Sequence, residues 1–119
     1  MTGTSPAGQA LDLVHLSAQT FGDRALEREL LELFEQQCRR LLPAIAGRNA
    51  IMARADAAHT LKGAARAVGA ERVAAIADAI EATVERGCEA ASLLRLVDEL
   101  DLAVDEATVA IRSRQQDAA

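Results

Sequence analysis

At 119 residues the chain has the length of one compact domain. Half of it is apolar, yet it holds two Phe and no Tyr or Trp, so its core must be aliphatic and closely packed, as in a helix bundle. A formal net charge of −5 argues against non-specific nucleic-acid binding, and no apolar run approaches the ~20 residues of a membrane span.

Residues 1–9 are small, polar and turn-forming, which predicts a mobile tail. Met1-Thr2-Gly3-Thr4-Ser5-Pro6 lacks the charged and apolar regions of a signal peptide, so the expected compartment is the cytoplasm. A short helix is predicted at about 11–19, carrying Leu11, Val14 and Leu16. Its His15 has no basic companion at helical spacing and reads as surface packing. Gly22-Asp23 supplies a turn and then an N-cap, because a short carboxylate accepts the orphan amide protons of a helix start. The second helix is predicted over 24–46, with Leu26, Leu30, Leu33, Phe34, Cys38, Leu41 and Ile45 as its buried stripe and a kink before Pro43. Gly47-Arg48-Asn49 ends it, and Asn49 is the expected cap of the third helix, at about 50–68.

Gly69 stands where a helix terminus favours a left-handed residue. A fourth helix is predicted over 71–86, burying Val73, Ile76, Ala77, Ile80 and Val84, with Gly87 closing it. The last, at about 90–113, spaces Leu93, Val97, Leu100, Val104, Ala107 and Ile111 by threes and fours. Short connections between long amphipathic helices favour antiparallel neighbours. The predicted fold is therefore all-α: an antiparallel up-down four-helix bundle over 10–113, with a short additional N-terminal helix and a frayed tail at 114–119. Cys38 and Cys88 have no paired spacing for a metal and read as reduced thiols.

The third helix carries the chemistry. At about 100° per residue, Ala50, Ala57, Leu61, Ala64 and Val68 form one stripe and His59 points away from it. Lys62, Gly63 and Arg66 lie three, four and seven residues on, at the spacings that bring helical side chains together. A glycine inside a helix costs roughly 1 kcal/mol relative to alanine, which suggests that Gly63 keeps space free. An imidazole reachable by something large, beside cations that can hold an anion, is the result. The competing reading is a solvated surface histidine. Cations beside an imidazole disfavour its protonation, so Lys62 and Arg66 are expected to favour the neutral, nucleophilic form.

The string His59-x-Leu61-Lys62-Gly63-Ala64-Ala65-x-x-Val68-Gly69-Ala70 resembles the signature of histidine-containing phosphotransfer (HPt) domains, the intermediate carriers of phosphorelays. The helix pattern resembles the family over roughly residues 10–112. The resemblance implies that His59 carries the phosphoryl group on Nε2, with Lys62 beside it; a role for Arg66 rests on geometry alone. Gly63, Arg66 and Met52 are the expected binding residues around the acceptor. His59 lies ten residues before Gly69 and Glu81 twelve after it, so a rise of about 1.5 Å per residue puts them within one helical turn of level. By height alone Glu81 is as readily a solvated glutamate. The resemblance implies that it hydrogen-bonds the histidine.

No glycine-rich phosphate loop or clustered carboxylate set for Mg²⁺ is present in the sequence, so self-phosphorylation from ATP is not expected. No cofactor is expected on this chain; Mg²⁺ is expected on a partner receiver domain. The implied partners are response-regulator receivers and a (hybrid) histidine kinase, with neither nucleic acid nor membrane, and a monomer is expected. Two alternatives stand beside this one. A non-transferring adaptor would have no need of the nucleophile. The phosphoacceptor bundle of a sensor kinase has an acidic residue after its histidine, where Thr60 stands here.

Overall fold

A computed structural model describes residues 10–47, 50–87 and 90–117. Among them the chain forms five helices: α1 (Leu13–Gln19), α2 (Arg24–Ala46), α3 (Ile51–Val68), α4 (Glu71–Glu85) and α5 (Ala90–Asp117). Helices α2 to α5 build the four-helix bundle, and α1 lies against the end of α3. None of the described helices is long and apolar enough to cross a membrane. The expected N-terminal tail at 1–9, the cap Asn49 and the thiol Cys88 lie outside the described residues.

Asp23 opens α2 as anticipated, its side chain accepting from the amides of Ala25 and Leu26. The buried register of α2 differs from the one predicted. Glu27, Leu31, Phe34, Cys38, Leu41 and Ile45 face inward, whereas Leu26 and Leu33 are exposed and Leu30 is half-buried. Glu27 can be buried because Arg114 of α5 meets it with two hydrogen bonds, at 2.9 and 3.1 Å. That pair also bears on the C-terminus: α5 runs to Asp117, past the expected end at Ser113. Burial, and then the nearby Glu35, push the Cys38 thiol up to about 12, so it behaves as an apolar core residue.

On α3, Ala57, Leu61 and Val68 are buried as expected, together with Ala55, Ala58 and Ala65, while Ala50 is exposed and Ala64 half-buried. The α4 stripe matches except for Val84, which is half-buried, and Ala74, which joins the core. All six predicted α5 positions are buried. Alanines Ala58, Ala65, Ala74 and Ala77 leave little side chain between α3 and α4, and these two helices form the most extensive pairing of the bundle.

Gly69, at φ +78°, ends α3. The Ala70 amide donates to Ala65 O at 2.9 Å and the Gly69 amide to Arg66 O at 3.3 Å, the paired bonds of a Schellman cap. Helix α1 docks on this turn. The Asp12 amide donates to Gly69 O at 2.8 Å, and Leu11 and Leu16 are buried beneath it, whereas Val14 is exposed. His15 does more than cover the surface: its Nε2 lies 2.8 Å from the carbonyl oxygen of Arg66.

Candidate functional site

Helices α3 and α4 each contribute two side chains to one small array. His59 and Lys62 are three residues apart on α3, and Asp78 and Glu81 are three apart on α4, so each pair shares a helix face. The tight Gly69 turn makes the two helices antiparallel neighbours and sets the four residues level.

His59 Nδ1 and Glu81 Oε2 are 2.9 Å apart. Lys62 Nζ lies 2.6 Å from Glu81 Oε1, as an ion pair rather than an aligned hydrogen bond, and donates to Asp78 Oδ1 at 3.1 Å. The His59 side chain is 67% exposed, whereas those of Glu81 and Lys62 are 17% and 15% exposed. A projecting imidazole therefore stands on a half-sunken ion pair.

The electrostatics fix the imidazole tautomer. The Lys62 contact, followed by the His59 hydrogen bond, holds the Glu81 carboxyl below the usual carboxylate value, against the upward push of burial. Glu81 is thus ionised at neutral pH and can only accept. Nδ1 must then carry the proton it donates, and in a neutral imidazole the lone pair is left on Nε2. Reciprocally, Glu81 and then Asp78 raise Lys62 above its ordinary value, so its ammonium stays charged.

Gly63 is exposed, and a Cβ built there would meet nothing within 4 Å. Arg66 is exposed two turns beyond His59, and its backbone carbonyl, not its side chain, makes the contact to α1. Met52, seven residues before His59, is 65% exposed.

Lys62, expected beside the imidazole as a cation for the phosphoryl group, is also paired with α4. One cation faces two carboxylates, because α4 turns both acidic residues toward it. Asp78 went unrecognised in the sequence. Its signal was there: once Glu81 is set opposite His59, the residue three before it shares its face.

The sequence profile of the Hpt domain family matches residues 29–110. Among curated proteins there is no match. The chain is similar to the crystal structure of the histidine phosphotransferase ShpA from Caulobacter crescentus, with 28% sequence identity and a TM-score of 0.71. That similarity covers 92% of this chain and 93% of the other. A helical bundle of the same architecture, and a profile match that takes in α3 and α4, settle the question of kinship: the chain belongs to the Hpt domain family, the histidine phosphotransfer modules of phosphorelays.

Proposed function

We propose that His59 Nε2 accepts a phosphoryl group from the phospho-aspartate of a receiver domain, or from a kinase, and hands it to the aspartate of another receiver. The observation that carries this reading is the hydrogen bond from Nδ1 to Glu81, which leaves Nε2 as the nucleophilic nitrogen of a side chain 67% exposed. As the P–Nε2 bond forms, the P–O bond of the acyl phosphate breaks and the aspartate carboxylate leaves with the electron pair. The ring then carries a positive charge, since Nδ1 retains its proton. Glu81, 2.9 Å away, opposes that charge. The reverse step regenerates the neutral imidazole.

The chain's contribution is a positioned nucleophile. Mg²⁺ and most of the charge stabilisation at phosphorus belong to the receiver in this reading. Gly63, whose missing side chain leaves the next turn open, gives the receiver room to approach.

The test is to incubate the pure protein with phosphorylated receivers and look for acid-labile, base-stable label. Wild type should acquire it and His59→Gln should not, while both melt alike because His59 is exposed. Normal labelling of His59→Gln overturns the assignment. Docking of receivers with no label on either protein favours an adaptor instead.

A further inference from the structure

Lys62 is claimed by two carboxylates that do different things. Glu81 also holds His59 Nδ1, so its place in the array is set by the imidazole. Among the described residues Asp78 has no hydrogen bond or ion pair with His59; its partner there is Lys62, at 3.1 Å, and its side chain is 58% exposed. A phosphoryl group on His59 would bring two further negative charges within one helical turn of the same ammonium. Asp78 and the phosphoryl group are then rivals for one cation.

We infer that Asp78 is a positioning residue that draws Lys62 away from the phosphorylated imidazole, and so sets how readily His59 gives its phosphoryl group up. The inference rests on His59 being the phosphoacceptor. The physical basis is a linkage: any contact Lys62 makes better in the unphosphorylated state raises the free energy of the phosphorylated one by the same amount. With Asp78 in place, moving Lys62 to the phosphoryl oxygens breaks the 3.1 Å contact. Without Asp78 nothing on that side restrains the ammonium, and phosphohistidine becomes the weaker donor. The effect is bounded by the exposure of Asp78, because ion pairs in water are screened. A change of about two- to five-fold in the phosphoryl balance is expected for an exposed pair.

The measurement is the equilibrium distribution of phosphoryl label between this chain and one receiver, in wild type, Asp78→Asn, Asp78→Glu and Lys62→Ala, and in Lys62→Ala combined with Asp78→Asn. Circular dichroism confirms that each variant is folded. Asp78→Asn should shift the label toward this chain by about two- to five-fold, and Asp78→Glu, which keeps the carboxylate, should restore the wild-type balance. In the Lys62→Ala background the shift should collapse, because the effect passes through the ammonium. No shift, a shift toward the receiver, or a shift of undiminished size without Lys62 overturns the inference. Absence of label on wild type would instead remove the phosphoacceptor reading itself, so the two failures are told apart.

Discussion

Glu27 and Arg114, 87 positions apart, join the first turn of α2 to the far end of α5 through two hydrogen bonds from one guanidinium, Nε to Oε2 and Nη2 to Oε1. Arg24 adds a third cationic contact at 3.4 Å. The carboxylate is almost wholly buried, so its stability depends on these partners. Arg114→Ala should cost about 3 kcal/mol, the low end for breaking a buried pair because Arg24 remains. Thermal unfolding should register a loss of roughly 10 °C. Replacing both residues by leucine should recover most of it. A double variant as unstable as the single one would contradict the desolvation argument.

That pair also explains which parts of the fold were legible in the sequence. Helix α5 was read correctly in its buried face because Leu93, Val97, Leu100, Val104, Ala107 and Ile111 keep threes-and-fours spacing over its whole length, whereas Leu94, Leu102 and Val109 are too sparse to compete. Helix α2 carries leucines at 26, 30, 31, 33, 41 and 42, enough for two overlapping stripes. Burial of Glu27 decides between them, and that burial depends on an arginine at the other end of the chain. In the site, height along the hairpin brought His59 and Glu81 together. Height says nothing of how charges on a facing helix are shared, and so the contacts of Lys62 with Glu81 and Asp78 were not foreseen.

Gly63→Ala should raise stability by up to about 1 kcal/mol, since alanine is the better helix former and the added Cβ meets nothing within 4 Å. Gly63→Gln should fold equally well yet exchange phosphoryl with receivers much more slowly, because a displacement of about 1 Å from near-attack distance costs on the order of a hundred-fold. A small donor such as phosphoramidate should label this variant as it labels wild type. Unchanged exchange with receivers would return Gly63 to a packing role.

Gly69→Ala should act in the opposite direction. The residue sits at φ +78°, and its Cβ would fall 2.8 Å from the backbone oxygen of Asp12. The left-handed conformation alone costs about 1–2 kcal/mol for an L-residue, and the clash adds to it by pushing α1 off the turn. Faster amide exchange at Asp12, whose proton is held by Gly69 O, is the local readout. Protection equal to wild type would show that α1 tolerates the displacement.

Lys62→Ala should slow phosphoryl acceptance by about ten-fold, as expected for loss of one charge-assisted contact near the reacting group. Arg66→Ala should do less, since Arg66 is two turns from His59. Single-turnover rates from a phospho-receiver give the comparison. If Arg66→Ala proves the more damaging, the receiver's docking contacts outweigh the local charge.

Stability against pH follows from Glu81. Its folded-state value is depressed, chiefly by Lys62, so it contributes stability that is fully present above its ordinary 4.5 and is lost as pH falls through the folded value. Lys62 is shifted upward, chiefly by Glu81, so its contribution is complete below its ordinary 10.5 and fades only as pH rises through the folded value. The melting-temperature gap between wild type and Glu81→Gln should narrow on the acid side below 4.5. A gap that closed near neutrality would mean that another group governs the array.

His59, Lys62, Asp78 and Glu81 belong to a single helical hairpin, with 22 positions from the first to the last. Contacts within one hairpin close a shorter loop than contacts between α2 and α5 do. They also leave the outer faces of α2 and α5, where Leu33, Leu94, Leu102 and Val109 are exposed, without any share in holding the imidazole. Substitutions on those faces should leave the 2.9 Å distance from Nδ1 to Glu81 as it is, so the array is separable from most of the bundle's surface.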